Sequence, residues 1–381
     1  MKASPPSPEA ASELVLEAAA AGSSVQVIGG GTKLAWGPPP READFELSTA
    51  ELNEIVEHNE GDLTAVLQAG VRLQEAQKRF AEASQMLALD PWLGEGTEAT
   101  IGGVVACSDQ GPLRHRYGGV RDLVLGATLV LADGSVVHSG GKVIKNVAGY
   151  DLAKLFCGSF GTLGVIAEVV VRLHPAAQHP LTVVGRSDRP ATLSAGASLL
   201  AHRLFEVEAL DVFWDKGSGE VLALAAGGAP EKQAAVCASA FSEAGLEVST
   251  EDDMERWERQ RRGQRSKQGA VLRVSHLPTE LARVLELARR VGAGAVGRAG
   301  LGVTWLSLPP AGEGDLVGLV DEVRSNLGSR PVTVCNAPEA VRAKVDVWGR
   351  HDRGAVELMR RVKLSFDSAG VFKPGFFVGG V

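Results

Sequence analysis

KNVAGYDLAKLFCGSFGTLGVIAEVVVRL, Lys145–Leu173, sets a glycine-broken turn, a short helix, a second glycine turn and an apolar strand one after another with no spacer. It closes a longer stretch, Gly94–Gly164, which holds fifteen glycines in seventy-one residues; the other 310 residues hold thirty-one. These glycines punctuate strand-like runs and do not form a flexible linker. Lacking a Cβ, glycine lets backbone N–H groups turn toward a ligand and lets phosphate or ring atoms approach the main chain. The stretch reads as a nucleotide cradle.

Before this stretch, Ser7 as N-cap, Pro8 at the first helical position and Gly22 past the end frame a helix that feeds the strand Val25–Ile28. That strand runs straight into Gly29-Gly30-Gly31-Thr32-Lys33. A strand, a capped helix from about Thr49, a strand over Leu63–Ala69 and a helix over Arg72–Ala83 are expected next. A second subdomain begins near Leu87, with Asp133-Gly134 as a hairpin turn between two apolar runs. HPAAQHP, 174–180, reads as a linker, because prolines at both ends disfavour a continuing strand or helix. From Leu181 onward Ala/Leu-rich helices alternate with short strands, as in an antiparallel sheet with helices on one face. Within it EDDMERWERQRRGQRSK reads as a solvated helix. A last helix, Gly354 to about Phe366, precedes a tight turn in DSAGVFKPGFF. The fold class is therefore α+β: residues 1–175 as a nucleotide-binding domain with subdomains at about 1–86 and 87–175, an α+β cap at 181–350, and 351–381 returning to the first domain.

Three glycine-bearing loops are placed to touch one ligand: GGGTK at 29–33, GEGTEATIGGVVACSDQGPLRHRYGGVRD at 94–122, and KNVAGYD with GTLGVI at 145–166. Consecutive glycine amides and the Thr32 hydroxyl suit a pyrophosphate. Here the sequence resembles a known family, the flavoproteins with a PCMH-type FAD-binding domain of the vanillyl-alcohol oxidase superfamily, and within it the FAD-binding E subunit of glycolate oxidase. GGGTKLAWG is similar to that family's pyrophosphate loop, ATIGGVVACSDQGPLRHRYGGVRDLVLGATLVLADG to its central signature, KNVAGYDLAKLFCGSFGTLGVIAEVVVRLHP to its third block, and LMRRVKLSFDSAGVFKPG to its closing helix and turn. The resemblance covers most of 20–175 and the terminal twenty-odd residues.

The resemblance implies FAD, with Gly29, Gly30, Gly31, Thr32 and Lys33 on the pyrophosphate. It implies Pro91, Thr100, Gly102, Gly103, Gly111 and Pro112 along pyrophosphate and isoalloxazine, Asn146, Gly149, Tyr150 and Asp151 near the flavin, and Gly164, Val165 and Ile166 meeting the nucleotide through backbone groups. Several of these, Tyr150 and Asp151 above all, can instead simply brace the loops. No histidine stands in the first loop to bond the flavin, so noncovalent FAD is expected.

Relatives that oxidise 2-hydroxy acids carry a His-rich strand in the cap; the comparable stretch here, GRAGLGVTWLSLP at 297–309, has no histidine, aspartate or asparagine. Arg273 and Arg298 can clamp a carboxylate or simply face solvent. The family implied is that of FAD-binding subunits working beside a catalytic flavoprotein subunit and an iron–sulfur subunit. A self-sufficient 2-hydroxy acid dehydrogenase and a structural flavoprotein are the alternatives.

The remaining signals exclude classes. Cysteines 107, 157, 237 and 335 never form a CxxC pair, and the eight histidines never pair at i, i+4, which argues against a zinc, cluster or helical metal site. A net charge of −7 without Lys/Arg blocks argues against nucleic acid. No run of eighteen apolar residues occurs, so no transmembrane segment and a cytoplasmic location are expected. GAGAVG, 292–297, fits the dinucleotide fingerprint but follows a helical run instead of a strand, and reads as a helix-ending turn.

Overall fold

Ser7 Oγ accepts from the Ala10 amide at 3.2 Å and Pro8 takes the first turn, so helix Pro8–Ala20 starts where its caps place it. Gly22, at φ +64°, closes it, with the Ser23 amide returning to the Ala18 carbonyl at 2.9 Å. The computed structural model describes residues 2–39, 43–143, 151–203, 207–252, 254–266 and 268–381.

Two sheets build the nucleotide-binding half. Strand Phe45–Ser48 lies between Lys2–Ala3 and Val25–Ile28, parallel to both. The second sheet is antiparallel, in the order Ile55–Asn59, Thr64–Gln68, Val165–Arg172, Val124–Val130, Val136–Gly140. The expected Asp133-Gly134 turn joins its last two strands, with Gly134 at φ +78°. The helix expected from Thr49 is not formed. One turn ends at buried Leu52, and the β-branched pair Ile55-Val56 opens a strand held by Thr64–Gln68. This sheet therefore draws two strands from before residue 87. In the stretch expected to be a linker, His174–Pro175 pairs with Gln85–Met86.

The cap is one eight-stranded antiparallel sheet, ordered Glu247–Glu251, Leu181–Ser187, Ser218–Ala225, Ala209–Asp215, Gly294–Arg298, Val303–Ser307, Val271–Ser275, Val332–Asn336. Helices Pro190–Ala201, Pro230–Glu243, Leu281–Arg290 and Glu313–Leu327 bury their apolar stripes against one face, with Val212, Trp214, Leu272 and Leu306. Side chains alternate along each strand, so Phe213, Val296, Trp305 and Arg273, opposite one another across four strands, project from the other face. The next row on that face is Asp211, Arg298, Val303 and Ser275. This face meets the nucleotide-binding half: Val296, Val303 and Trp305 cluster with Trp36, Cys107 and Phe160.

Two readings of the cap change. GAGAVG is a helix end only as far as Gly292; from Gly294 it is an interior strand. The charge-dense run forms helix Glu255–Arg262, but it is not a solvated face throughout. Trp257 and Gln260 are fully buried, and Arg261 reaches Asp90 of the other half at 3.1 Å.

Helix Arg353–Phe366 is followed by a turn whose Phe372 bridges Val25. Buried Lys363 fastens it, its Nζ donating to the Thr162 carbonyl, the Phe372 carbonyl and Asp367 Oδ2, each at 2.6 Å.

Candidate functional site

Strand Val25–Ile28 ends at the first glycine loop, where Gly31 is left-handed at φ +72°. The amides of Gly30, Gly31, Thr32 and Lys33 find no hydrogen-bond acceptor among the described residues. Four open amides in succession make an anion nest. The main chain here runs against the second loop: a Cβ on Gly29 would lie 2.3 Å from Thr100 Oγ1, and one on Gly30 only 1.7 Å from the Glu98 carbonyl oxygen. Thr100 in turn caps helix Ile101–Cys107, accepting from the Gly103 amide at 3.3 Å. A Cβ on Gly102 would meet that of Ala69 at 2.6 Å, and Gly164, at φ +155°, lies where a Cβ would meet the Val130 carbonyl at 2.7 Å.

These loops surround one cleft of about 800 Å³, counting the solvent at its mouth. Of the residues singled out from sequence, Gly29, Gly30, Gly31, Thr32, Lys33, Thr100, Gly102, Gly103, Gly164 and Ile166 line it. Others lie elsewhere. Pro91 lines a separate cleft between helix Leu73–Ala81 and the cap helix Glu255–Arg262. Gly111 packs on the main chain of Asp90, and Pro112 is buried beside it. Val165 is fully buried in the core below the cleft, and Asp151 is exposed and paired with Lys154 at 3.0 Å. Asn146, Gly149 and Tyr150 fall outside the described residues.

The cleft has lining that sequence reasoning did not single out: Trp36, Phe160, Lys373 and Phe376. Phe160 stands 5.1 Å from Trp348 and 6.3 Å from Phe376, centroid to centroid, so an aromatic cluster from three distant segments closes one end. The available signal was the single Trp36 just after GGGTK and the three phenylalanines at 372, 376 and 377 in the terminal turn, in a chain with 5% aromatics.

Charge at the cleft is built around Asp109. Its Oδ2 receives Lys33 Nζ at 3.2 Å and Arg265 Nη2 at 3.0 Å, and the Arg265 guanidinium lies 4.2 Å over the Trp36 ring. Lys33 is thus already countered by a carboxylate, which leaves anion binding to the backbone amides. Burial pushes the Cys107 thiol up to about 11, so it is not a thiolate at neutral pH. Lys373 is lowered from its ordinary range, chiefly by burial.

Where the cap meets the nucleotide-binding half, buried polar atoms of both lack partners among the described residues. Donors are Nε1 of Trp36 and Trp305, Nε of Arg265 and Arg273, and Nε and Nη2 of Arg298; acceptors are Oδ1 of Asp211 and the Oε1 atoms of Gln260 and Gln264. Unpaired buried polar groups are rare in folded proteins; His58 Nδ1 and Arg324 Nε are further ones, away from this interface. Arg298 is not at the surface. It is fully buried and paired with Asp211, Nη1 to Oδ2, at 2.5 Å.

An open-amide nest and a glycine-walled cleft fit a dinucleotide with a heteroaromatic end. Among the described residues no group of three or more His, Cys, Asp or Glu is arranged to hold a metal ion. No helix of the described residues is long and apolar enough to cross a membrane.

Comparison with known proteins agrees. Residues 2–140 match the FAD binding domain family. The chain is 37% identical over 156 residues to glycolate oxidase subunit GlcD of Bacillus subtilis, covering 41% of this chain and 33% of that protein. It is 40% identical over 129 residues to glycolate oxidase subunit GlcE of Escherichia coli (34% and 37%), and 40% over 147 residues to a D-lactate dehydrogenase of Archaeoglobus fulgidus (39% and 32%). These matches span about a third of each relative. In structure it is similar to alkyldihydroxyacetonephosphate synthase, with a TM-score of 0.72 and 16% identity over 97% of this chain and 75% of that one.

Proposed function

We propose that the chain, whose residues 2–140 match the FAD binding domain family, is a PCMH-type flavoprotein and the FAD-binding subunit of a 2-hydroxy acid oxidase or dehydrogenase, working beside a catalytic flavoprotein subunit and an iron–sulfur subunit. Bound FAD supplies a two-electron acceptor. In this reading the open amides of Gly30 to Lys33 hold the pyrophosphate, Thr100, Gly102 and Gly103 border it, and Gly164 and Ile166 meet the nucleotide from the third loop. The single observation that carries the reading is the run of four unpaired amides opening on a cleft walled by all three glycine loops.

Asp109 holds Lys33 and Arg265 in place at the cleft wall, and the aromatic cluster keeps water from its far end. The thiol state of Cys107 and the lack of a histidine in the first loop favour a noncovalent cofactor.

Purifying the full chain and adding FAD tests this. A yellow protein that releases intact FAD on acid precipitation is expected, together with co-purification of a second flavoprotein and an iron–sulfur protein from the native host. A chain that stays colourless after reconstitution would falsify the cofactor reading; absence of both partners would remove the subunit role alone.

A further inference from the structure

Among the described residues, the charged side chains lining the cleft are Lys33 and Lys373. Lys33 gives its charge to Asp109 at 3.2 Å. Lys373 Nζ has neither an ion pair nor a hydrogen bond among the described residues, and lies 4.5 Å from the Phe376 ring centroid. The titratable neighbour that acts on it is the Cys107 thiol, which burial pushes up to about 11 and leaves uncharged at neutral pH. Buried charges in folded proteins are paired. Here burial lowers the lysine from its ordinary range, and no acid of the described residues offsets the cost.

The main chain holds this lysine against local preference. Its φ is +41°, a left-handed conformation that costs a residue with a side chain, and the following Pro374 favours extended backbone before it. Such a conformation persists where the surroundings impose it. The turn is fastened to both flanks of the first glycine loop. Ahead of the loop, the Lys373 amide donates to the Val25 carbonyl at 3.4 Å and the Val25 amide to the Val371 carbonyl at 2.7 Å. After it, Phe376 packs so closely on Gly37 that a Cβ there would lie 2.4 Å from the ring. Lys373 thus faces the same cleft as the open amides of Gly30 to Lys33.

We propose that Lys373 binds the diphosphate of the cofactor through Nζ, so that FAD fastens the terminal segment to the first glycine loop. The proposal rests on the FAD reading above. A diphosphate carries full negative charges, whereas backbone amides offer partial positive ones. The ring of oxidised flavin is uncharged, so the diphosphate is the anion that an unpaired ammonium would meet. In this role the lysine costs stability in the apo chain and supplies affinity in the loaded one.

The test titrates the apo full chain with FAD, ADP and adenosine. Lys373→Met removes the charge and should weaken FAD and ADP alike, by about ten- to a hundredfold, the range of a hydrogen bond to a charged group. Adenosine, which lacks the diphosphate, should not distinguish the two proteins. Lys373→Arg keeps the charge and should recover most of the loss. Apo Lys373→Met should unfold at the same urea concentration as the apo wild type or a higher one, since an unpaired buried charge is gone. Hydrogen exchange over 371–377 should slow when FAD or ADP is added to the wild type, and not in Lys373→Met. Unchanged FAD and ADP affinities in that variant overturn the proposal and leave the cofactor reading standing. A loss for FAD with ADP unaffected also overturns it, because the lysine then meets the flavin ring. A wild type that takes up no FAD removes the cofactor reading and this role with it. If Lys373→Met does not fold, exchange in the wild type decides: protection of the terminal turn by ADP and not by adenosine supports the proposal, and its absence overturns it.

Discussion

Gly30 is a glycine because the Glu98 carbonyl passes where its Cβ would be, 1.7 Å away, and a main-chain oxygen cannot step aside without moving the second loop. Gly29 faces only the Thr100 hydroxyl, the end of a side chain. We predict that Gly30→Ala destabilises the chain by about 2–3 kcal/mol, as overpacking does, and abolishes FAD retention. Gly29→Ala should cost about 1 kcal/mol, the value of a disturbed N-cap, and keep FAD at reduced affinity. Urea unfolding and the flavin-to-protein absorbance ratio measure both; equal losses in the two variants would show that the Glu98 contact does not set the loop. At this scale the sequence was informative about glycines and the hydroxyl between them, because a bare main chain in a strand-turn context has few uses. It was silent on Asp109, Arg265 and Trp36, whose roles depend on neighbours 76 or more positions away from at least one partner.

At the scale of elements, capped helices were legible, as in Pro8–Ala20 and Arg353–Phe366. Failures came where tertiary pairing overrode local pattern. Ile55–Asn59 is a strand because Thr64–Gln68 pairs with it, and Glu255–Arg262 is half-buried because two domains close on it. The terminal turn was read correctly as a turn, but its contribution to the cleft was not, since Phe376 acquires meaning only beside Phe160 and Trp348. Each such aromatic contact is worth about 0.5–1.5 kcal/mol beyond burial. Phe376→Ala should therefore lower FAD affinity about tenfold, as read by fluorescence titration of the apo chain. Leu358→Ala, on the exposed side of the terminal helix, should leave it unchanged. Identical affinities for the two variants would mean that the aromatic end of the cleft does not touch the cofactor.

Across the whole molecule, two α+β layers were readable from composition and alternation, but not the polar slab between them. Arg298 looks like any surface arginine until the register places Asp211 opposite it and the Trp305 ring against its guanidinium. That slab ties the two halves through Arg261 to Asp90 and through Arg116 and Tyr117 to Glu208, at 2.6 and 2.5 Å for the last two. It also stores a pH dependence. Burial raises Asp211 from its ordinary 3.8 to about 7 in the folded chain, so between those values the folded state holds a proton that the unfolded chain has released. Such a group contributes stability below 3.8 and loses it as pH climbs toward 7. Asp211→Asn removes this titration and keeps the rest. The stability difference, wild type minus variant, should fall as pH rises across that window, by at most about 1.4 kcal/mol per pH unit for one proton. Urea unfolding at a series of pH values gives the slope, separately from the constant offset due to the lost pair. A difference that grows with pH would mean that the Arg298 attraction outweighs burial and that Asp211 is ionised throughout.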